Sequence, residues 1–138
     1  MMLLPVFVFL FQDPLIKSLE GKDLYAAYCA SCHGMDGKGS GPASAAMKVA
    51  PPDLTTITKR RGRGGKYPEA YVEAVLTGNG KTADKMMPSH GSSEMPVWGP
   101  VFRQVERDQD LGLIRLRNVV KYLESIQPKR ASGKSPKS

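Results

Sequence analysis

Five adjacent residues, Cys29-Ala30-Ser31-Cys32-His33, hold the only two cysteines of the 138-residue chain and one of its two histidines. The spacing is the C-x-x-C-H pattern of c-type haem attachment. On a helix, Cys29 and Cys32 stand one turn apart on one face, so two thiols can reach two vinyl groups on one porphyrin edge and form thioethers. His33, at i+4 from Cys29, can then present an imidazole nitrogen to the iron. Two other chemistries use part of this set. A bare C-x-x-C serves dithiol redox sites beside a βαβ pattern, and no such pattern is visible in the sequence. A zinc site would draw on Cys29, Cys32, His33 and His90, but adjacent Cys32 and His33 are awkward on one tetrahedral ion, and His90 is too distant for finger spacing.

An iron held by His33 asks for a ligand on its other side. Residues 79–99 show no periodicity. So long a loop in a small domain argues against its own assignment unless it is tied to something such as the iron. A thioether is a soft ligand that suits haem iron opposite histidine. Met95 precedes Pro96, a rigid exit, and Trp98-Gly99 adds a bulky residue able to close a pocket. Met86 and Met87 share this chemistry, His90 would give bis-histidine ligation, and the sixth site could stay open. A loop methionine is otherwise more often a filler of gaps than a ligand.

The elements that must position these residues read as helices. Residues 18–31 are expected to form one, capped by Ser18 or Asp13, with Leu24, Ala27 and Tyr28 at 3–4 spacing. Four glycines in residues 34–41 cannot hold a helix, so a tight loop follows. Residues 43–49 could make a short helix that Pro51-Pro52 stop, and Asp53-Leu54-Thr55-Thr56 offers a turn or cap. The basic, glycine-interrupted run 59–66 reads as exposed loop. A helix is expected over 68–77, with Pro68 at its first position and Tyr71, Val72, Val75 and Leu76 on its apolar face. The last helix is expected over 111–125. There Leu116, Val119, Val120 and Leu123 share one face, and Leu113, Tyr122 and Ile126 extend it.

Taken together, these pieces resemble the class I cytochrome c family over about residues 21–126. The resemblance is carried by residues 24–34 around the C-x-x-C-H motif, then Gly41-Pro42, Pro51-Pro52-Asp53-Leu54-Thr55 and Glu94-Met95-Pro96-Val97-Trp98-Gly99. It implies an all-α fold of three to four helices with long loops around one covalently attached haem c. It selects Met95 as the sixth ligand and assigns to the carbonyl of Pro42 the N–H of His33 that faces away from iron. It also implies that Gly21 and Tyr25 meet the C-terminal helix. The implied function is single-electron transfer between redox partner proteins. The alternatives are a haem enzyme, a gas- or peroxide-reactive sensor with a labile sixth ligand, or a donor subunit of a larger oxidase or dehydrogenase.

Length supports one domain, expected over residues 16–127. Residues 1–15 are expected to be an export signal: the apolar run from Leu3 to Phe11 is too short to span a bilayer and suits a secretory signal, although a basic start and a small-x-small cleavage site are missing. Attachment of c-type haem outside the cytoplasm then implies a periplasmic or otherwise extracytoplasmic protein. Membrane association would come only through partners or an uncleaved N-terminus. Residues 128–138 are expected to be a basic, disordered tail. The formal charge of +7 gathers in Lys59, Arg60, Arg61, Arg63 and Lys66 and again in the tail. Without any nucleic-acid-binding motif, this charge suits docking on acidic faces of redox partners better than nucleic acid.

Overall fold

The computed structural model describes residues 16–78, 95–105 and 109–129. Among them are six α-helices and two 3₁₀ turns, with no strand: α1 (Gly21–Tyr28), α2 (Ala30–His33), α3 (Ile57–Arg61), α4 (Glu69–Thr77), α5 (Trp98–Val105) and α6 (Gln109–Ser125), the turns being Ser44–Ala46 and Leu54–Thr56. The all-α expectation holds, with more helices than the three or four expected. The stretches read as export signal and basic tail lie outside the described residues, except for Pro128 and Lys129.

The spine is α6, which packs on α1, α4 and α5. Leu116, Val119, Val120 and Leu123 are buried at the expected spacing. Leu113 does not extend this face and is 42% exposed. At the start of α6 the buried row runs instead through Gly112 and Arg115, because Gly112 lets the helix close on the Phe102 carbonyl and Arg115 Nη1 donates to the Ser18 carbonyl at 3.0 Å.

The crossing of α1 over α6 closes to backbone contact. A Cβ on Gly21 would collide with the carbonyl of Asn118. One turn on, the Tyr25 and Tyr122 rings sit 5.2 Å apart, and Asn118 Nδ2 donates to the Leu19 carbonyl at 2.8 Å. The expected cap is absent: Glu20 takes that position without a side-chain bond, while the Ser18 hydroxyl bonds Asp23 at 2.7 Å. The helix expected over 18–31 is two pieces. Cys29 opens to φ −115° between them, yet its N–H reaches Tyr25 and its carbonyl receives the His33 N–H, both at 2.9 Å. The chain therefore bends there without stopping.

Three further corrections share one physical pattern: the termini of short helices are set by local partners rather than by composition. Residues 43–49 give only the turn Ser44–Ala46. The basic run begins inside a helix: Asp53 Oδ1 accepts the Thr55 N–H at 2.8 Å and caps the turn Leu54–Thr56, α3 follows that turn directly, and Ile57 buries an apolar side chain behind the cations. Pro68 stands one residue before α4 rather than at its first position. Gly78 ends α4 in the left-handed region.

Candidate functional site

With four residues, α2 is too short to sustain itself, and the loop behind it supplies what its end lacks. The N–H groups of Gly39, Gly41 and Ala43 donate to the carbonyls of His33, Cys32 and Ser31 at 2.7, 3.1 and 2.8 Å. These are carbonyls that a helix end leaves bare. The next strand of chain lies on that loop. Gly39 has φ +90°, and a Cβ there would collide with the Pro51 carbonyl, so only glycine allows this approach. The Leu54 N–H donates to Gly37 at 2.7 Å.

Those two ties bring the Pro52 carbonyl to 3.3 Å from His33 Nδ1. A carbonyl can only accept, so Nδ1 carries the hydrogen and Nε2 keeps its lone pair for a metal. The acceptor expected from resemblance was Pro42, and the structure corrects this to Pro52. Pro42 is exposed, and Gly41 and Ala43 on either side of it direct their N–H groups at α2. Burial of His33 pushes its pKa below the ordinary value, with the Pro52 carbonyl partly opposing. The ring is therefore the neutral imidazole that ligation needs.

Cys29 and Cys32 are free thiols, each half-buried. Burial, helped by Cys32, pushes the Cys29 thiol up to about 12, so its sulfur keeps its proton at neutral pH. Among the described residues no three His, Cys, Asp or Glu side chains are placed to hold a metal ion, and His90 lies outside them.

Two cavities open beside His33. One, of about 550 Å³, is lined by residues that include Cys29, Cys32, His33, Pro52, Met95 and Trp98. The other, of about 510 Å³, runs under α3 and α4 and again includes Cys29, His33 and Met95. The shared lining makes them two lobes of one slot, with a neutral imidazole and a thioether on its walls. Cys29, Cys32, His33, Met95 and Trp98 are thus brought together, and Pro42 is not. Met86 and Met87, like His90, lie outside the described residues.

Met95 is carried by a segment seated on the end of α4. A Cβ on Gly99 would press on Thr77, and one on Gly78 would press on the Val97 side chain. From there α5 turns Trp98 onto Tyr28, with ring centroids 5.2 Å apart, and onto Phe102 at 5.8 Å. Tyr28 is held in turn at its hydroxyl, which accepts the Ile16 N–H at 2.7 Å. Sequence reasoning missed Pro52 and Tyr28 as parts of this wall. The signal for Pro52 was the Pro51-Pro52-Asp53-Leu54-Thr55 stretch itself.

The residues present fit a flat, largely apolar porphyrin with two vinyl groups: two thiols one turn apart, one metal-ready imidazole, one thioether and apolar walls. The family model for cytochrome c matches residues 18–127. No curated protein and no solved structure gives a match.

Proposed function

The chain belongs to the cytochrome c family and carries covalently bound haem c for electron transfer, and we propose that it is a monohaem carrier whose iron His33 and Met95 would hold. The carrying observation is the slot on which Cys29, Cys32, His33 and Met95 converge. When bound, haem supplies an iron that gains and loses one electron. Cys29 and Cys32 would anchor it through thioethers. His33 would offer Nε2, aimed by the Pro52 carbonyl. Met95 would offer a thioether, which favours the ferrous state relative to a second histidine. Trp98, packed on Tyr28 and Phe102, would keep water out, and a dry pocket disfavours the ferric charge in the same direction.

The partners are redox proteins. Lys59, Arg60, Arg63 and Lys66 form an exposed basic patch, which supports docking on an acidic face. Export and a periplasmic place follow from where c-type haem is attached. Among the described residues no helix is long and apolar enough to cross a membrane.

The test is to make the full chain in a host that exports it and attaches c-type haem. Covalent haem should show on a stained denaturing gel. A low-spin ferric spectrum with the weak methionine-to-iron band is expected, and Met95→Ala should abolish that band. A high-spin ferric spectrum that changes on adding peroxide or carbon monoxide would replace this reading with an enzyme or sensor. A band that survives Met95→Ala would hand the sixth position to Met86 or Met87.

A further inference from the structure

The side-chain amide of Gln127 joins three pieces of the chain at once. The residue stands just beyond the end of α6 and reaches across to the segment that leads into α3. Nε2 donates to the Leu123 carbonyl in the last turn of α6 at 2.7 Å and to the Leu54 carbonyl at 2.8 Å. Oε1 accepts the Thr58 N–H at 3.0 Å, one of the donors that the start of α3 leaves bare. Both hydrogens of the amide and its oxygen are thus used. The same set fixes which atom is nitrogen, because two carbonyls can only accept.

Leu54 is where this clamp meets the histidine wall. Its N–H is tied to the Gly37 carbonyl at 2.7 Å and its carbonyl to Gln127, so its backbone is held from both sides. Ile126, the neighbour of Gln127, bears on the same loop: a Cβ on Gly37 would stand 3.2 Å from its side chain. Two residues before Leu54, the Pro52 carbonyl faces His33 Nδ1 at 3.3 Å. That separation lies at the long end for an N–H···O bond, so a small shift of residues 52–54 strengthens or breaks it. We propose that Gln127 is a positioning residue for His33: by holding Leu54 it sets the Pro52 carbonyl against Nδ1. Gln127 itself lines neither lobe of the slot. An acceptor on Nδ1–H makes the ring a stronger donor to a metal and so favours ferric iron. The inference rests on the haem reading above and adds to it the residue that sets how strongly His33 would donate.

The experiment follows two quantities in the isolated holoprotein: hydrogen exchange at His33 Nδ1–H, by NMR of the ferrous state, and the reduction potential. Gln127→Met keeps the length of the side chain and removes donors and acceptor together. Gln127→Glu keeps the acceptor and loses both donors. Gln127→Lys keeps donors for the two carbonyls and loses the acceptor. Tyr67→Phe is the control, since it removes a bond to the Val120 carbonyl of the same helix and leaves Gln127 in place. Each protein is first checked for covalent haem and native helix content. Exchange at His33 should quicken several-fold in Gln127→Met and Gln127→Glu and stay near the parent rate in Gln127→Lys and Tyr67→Phe. The uncharged Gln127→Met should also raise the potential, and Tyr67→Phe should leave it in place. If Gln127→Met accumulates poorly, the contrast in exchange between Gln127→Glu and Gln127→Lys decides the same point. A side chain that only capped α6 would quicken exchange of the last amides of that helix and leave His33 and the potential unmoved, and that result would overturn the proposal. Equal changes in Gln127→Met and Tyr67→Phe would overturn it too. A chain without haem on the gel would overturn the functional reading itself, and the proposal with it.

Discussion

His33 and Met95 face one slot from walls built by different means. The histidine wall is tied backbone to backbone. The loop 34–43 meets the bare carbonyls of α2, Leu54 is pinned to Gly37, and the Tyr25 hydroxyl donates to the Gly34 carbonyl at 2.7 Å. The methionine wall is held by packing, through the Tyr28, Trp98 and Phe102 rings and the fit of Val97 and Gly99 against the end of α4. Hydrogen bonds fix direction, which an imidazole lone pair and two thioethers need. Packing fixes position less sharply, and a flexible thioether tolerates that. The methionine side is thus the part free to open first while the cofactor stays anchored from the other.

The contrast can be broken hardest at the helix crossing that supports the histidine wall. Gly21→Ala puts a methyl group where the Asn118 carbonyl stands, and backbone cannot step aside as a side chain can. We expect a loss of about 3 kcal/mol in denaturant unfolding, at the upper end for overpacking. On the methionine side, Trp98→Ala removes a half-buried ring and should cost about 2 kcal/mol, below the value for a fully buried aromatic. It should also lower the reduction potential as water enters. An unchanged potential and spectrum would show that Trp98 does not seal the pocket. Gly78→Ala strains a residue at φ +69° and presses a methyl on the Val97 side chain, which can move. About 1 kcal/mol is expected. Weakening of the methionine band before global unfolding, in this variant but not in Gly21→Ala, would sharpen the comparison.

What the sequence revealed divides along the same line. The attachment motif and the buried face of α6 were legible because each is a short-range pattern of spacing, and the Gly21 and Tyr25 contact was legible only through the family resemblance. The acceptor for His33 was not. Pro42 and Pro52 are both loop prolines, and the choice between them is made by Gly39 under the Pro51 carbonyl and Leu54 on Gly37, contacts between loops that no period encodes. The start of α5 was hidden for another reason. Gly99-Pro100 reads as a breaker, yet both residues fall in the first turn of α5, where a missing N–H costs nothing.

The last effect tests the histidine wall from within. Tyr25 is 1% exposed, and burial, with lesser contributions from Cys29, Tyr122 and Asp36, raises its pKa well above the ordinary tyrosine value. The folded chain therefore keeps the phenolic proton after the unfolded chain has lost it. The stability this proton maintains is complete below about pH 10, where an unfolded tyrosine ionises. It falls as pH rises further, by up to about 1.4 kcal/mol per unit for each such tyrosine. Tyr67 is raised for the same first reason, its burial, and adds to the slope. Tyr25→Phe should cost about 1 kcal/mol near neutral pH, the bond to Gly34. In alkaline solution its stability should fall less steeply than that of the parent chain. Unfolding free energies measured at about pH 8 and about pH 11 decide the point. Parallel losses in the two proteins would mean that the proton on Tyr25 is not what the tight wall protects.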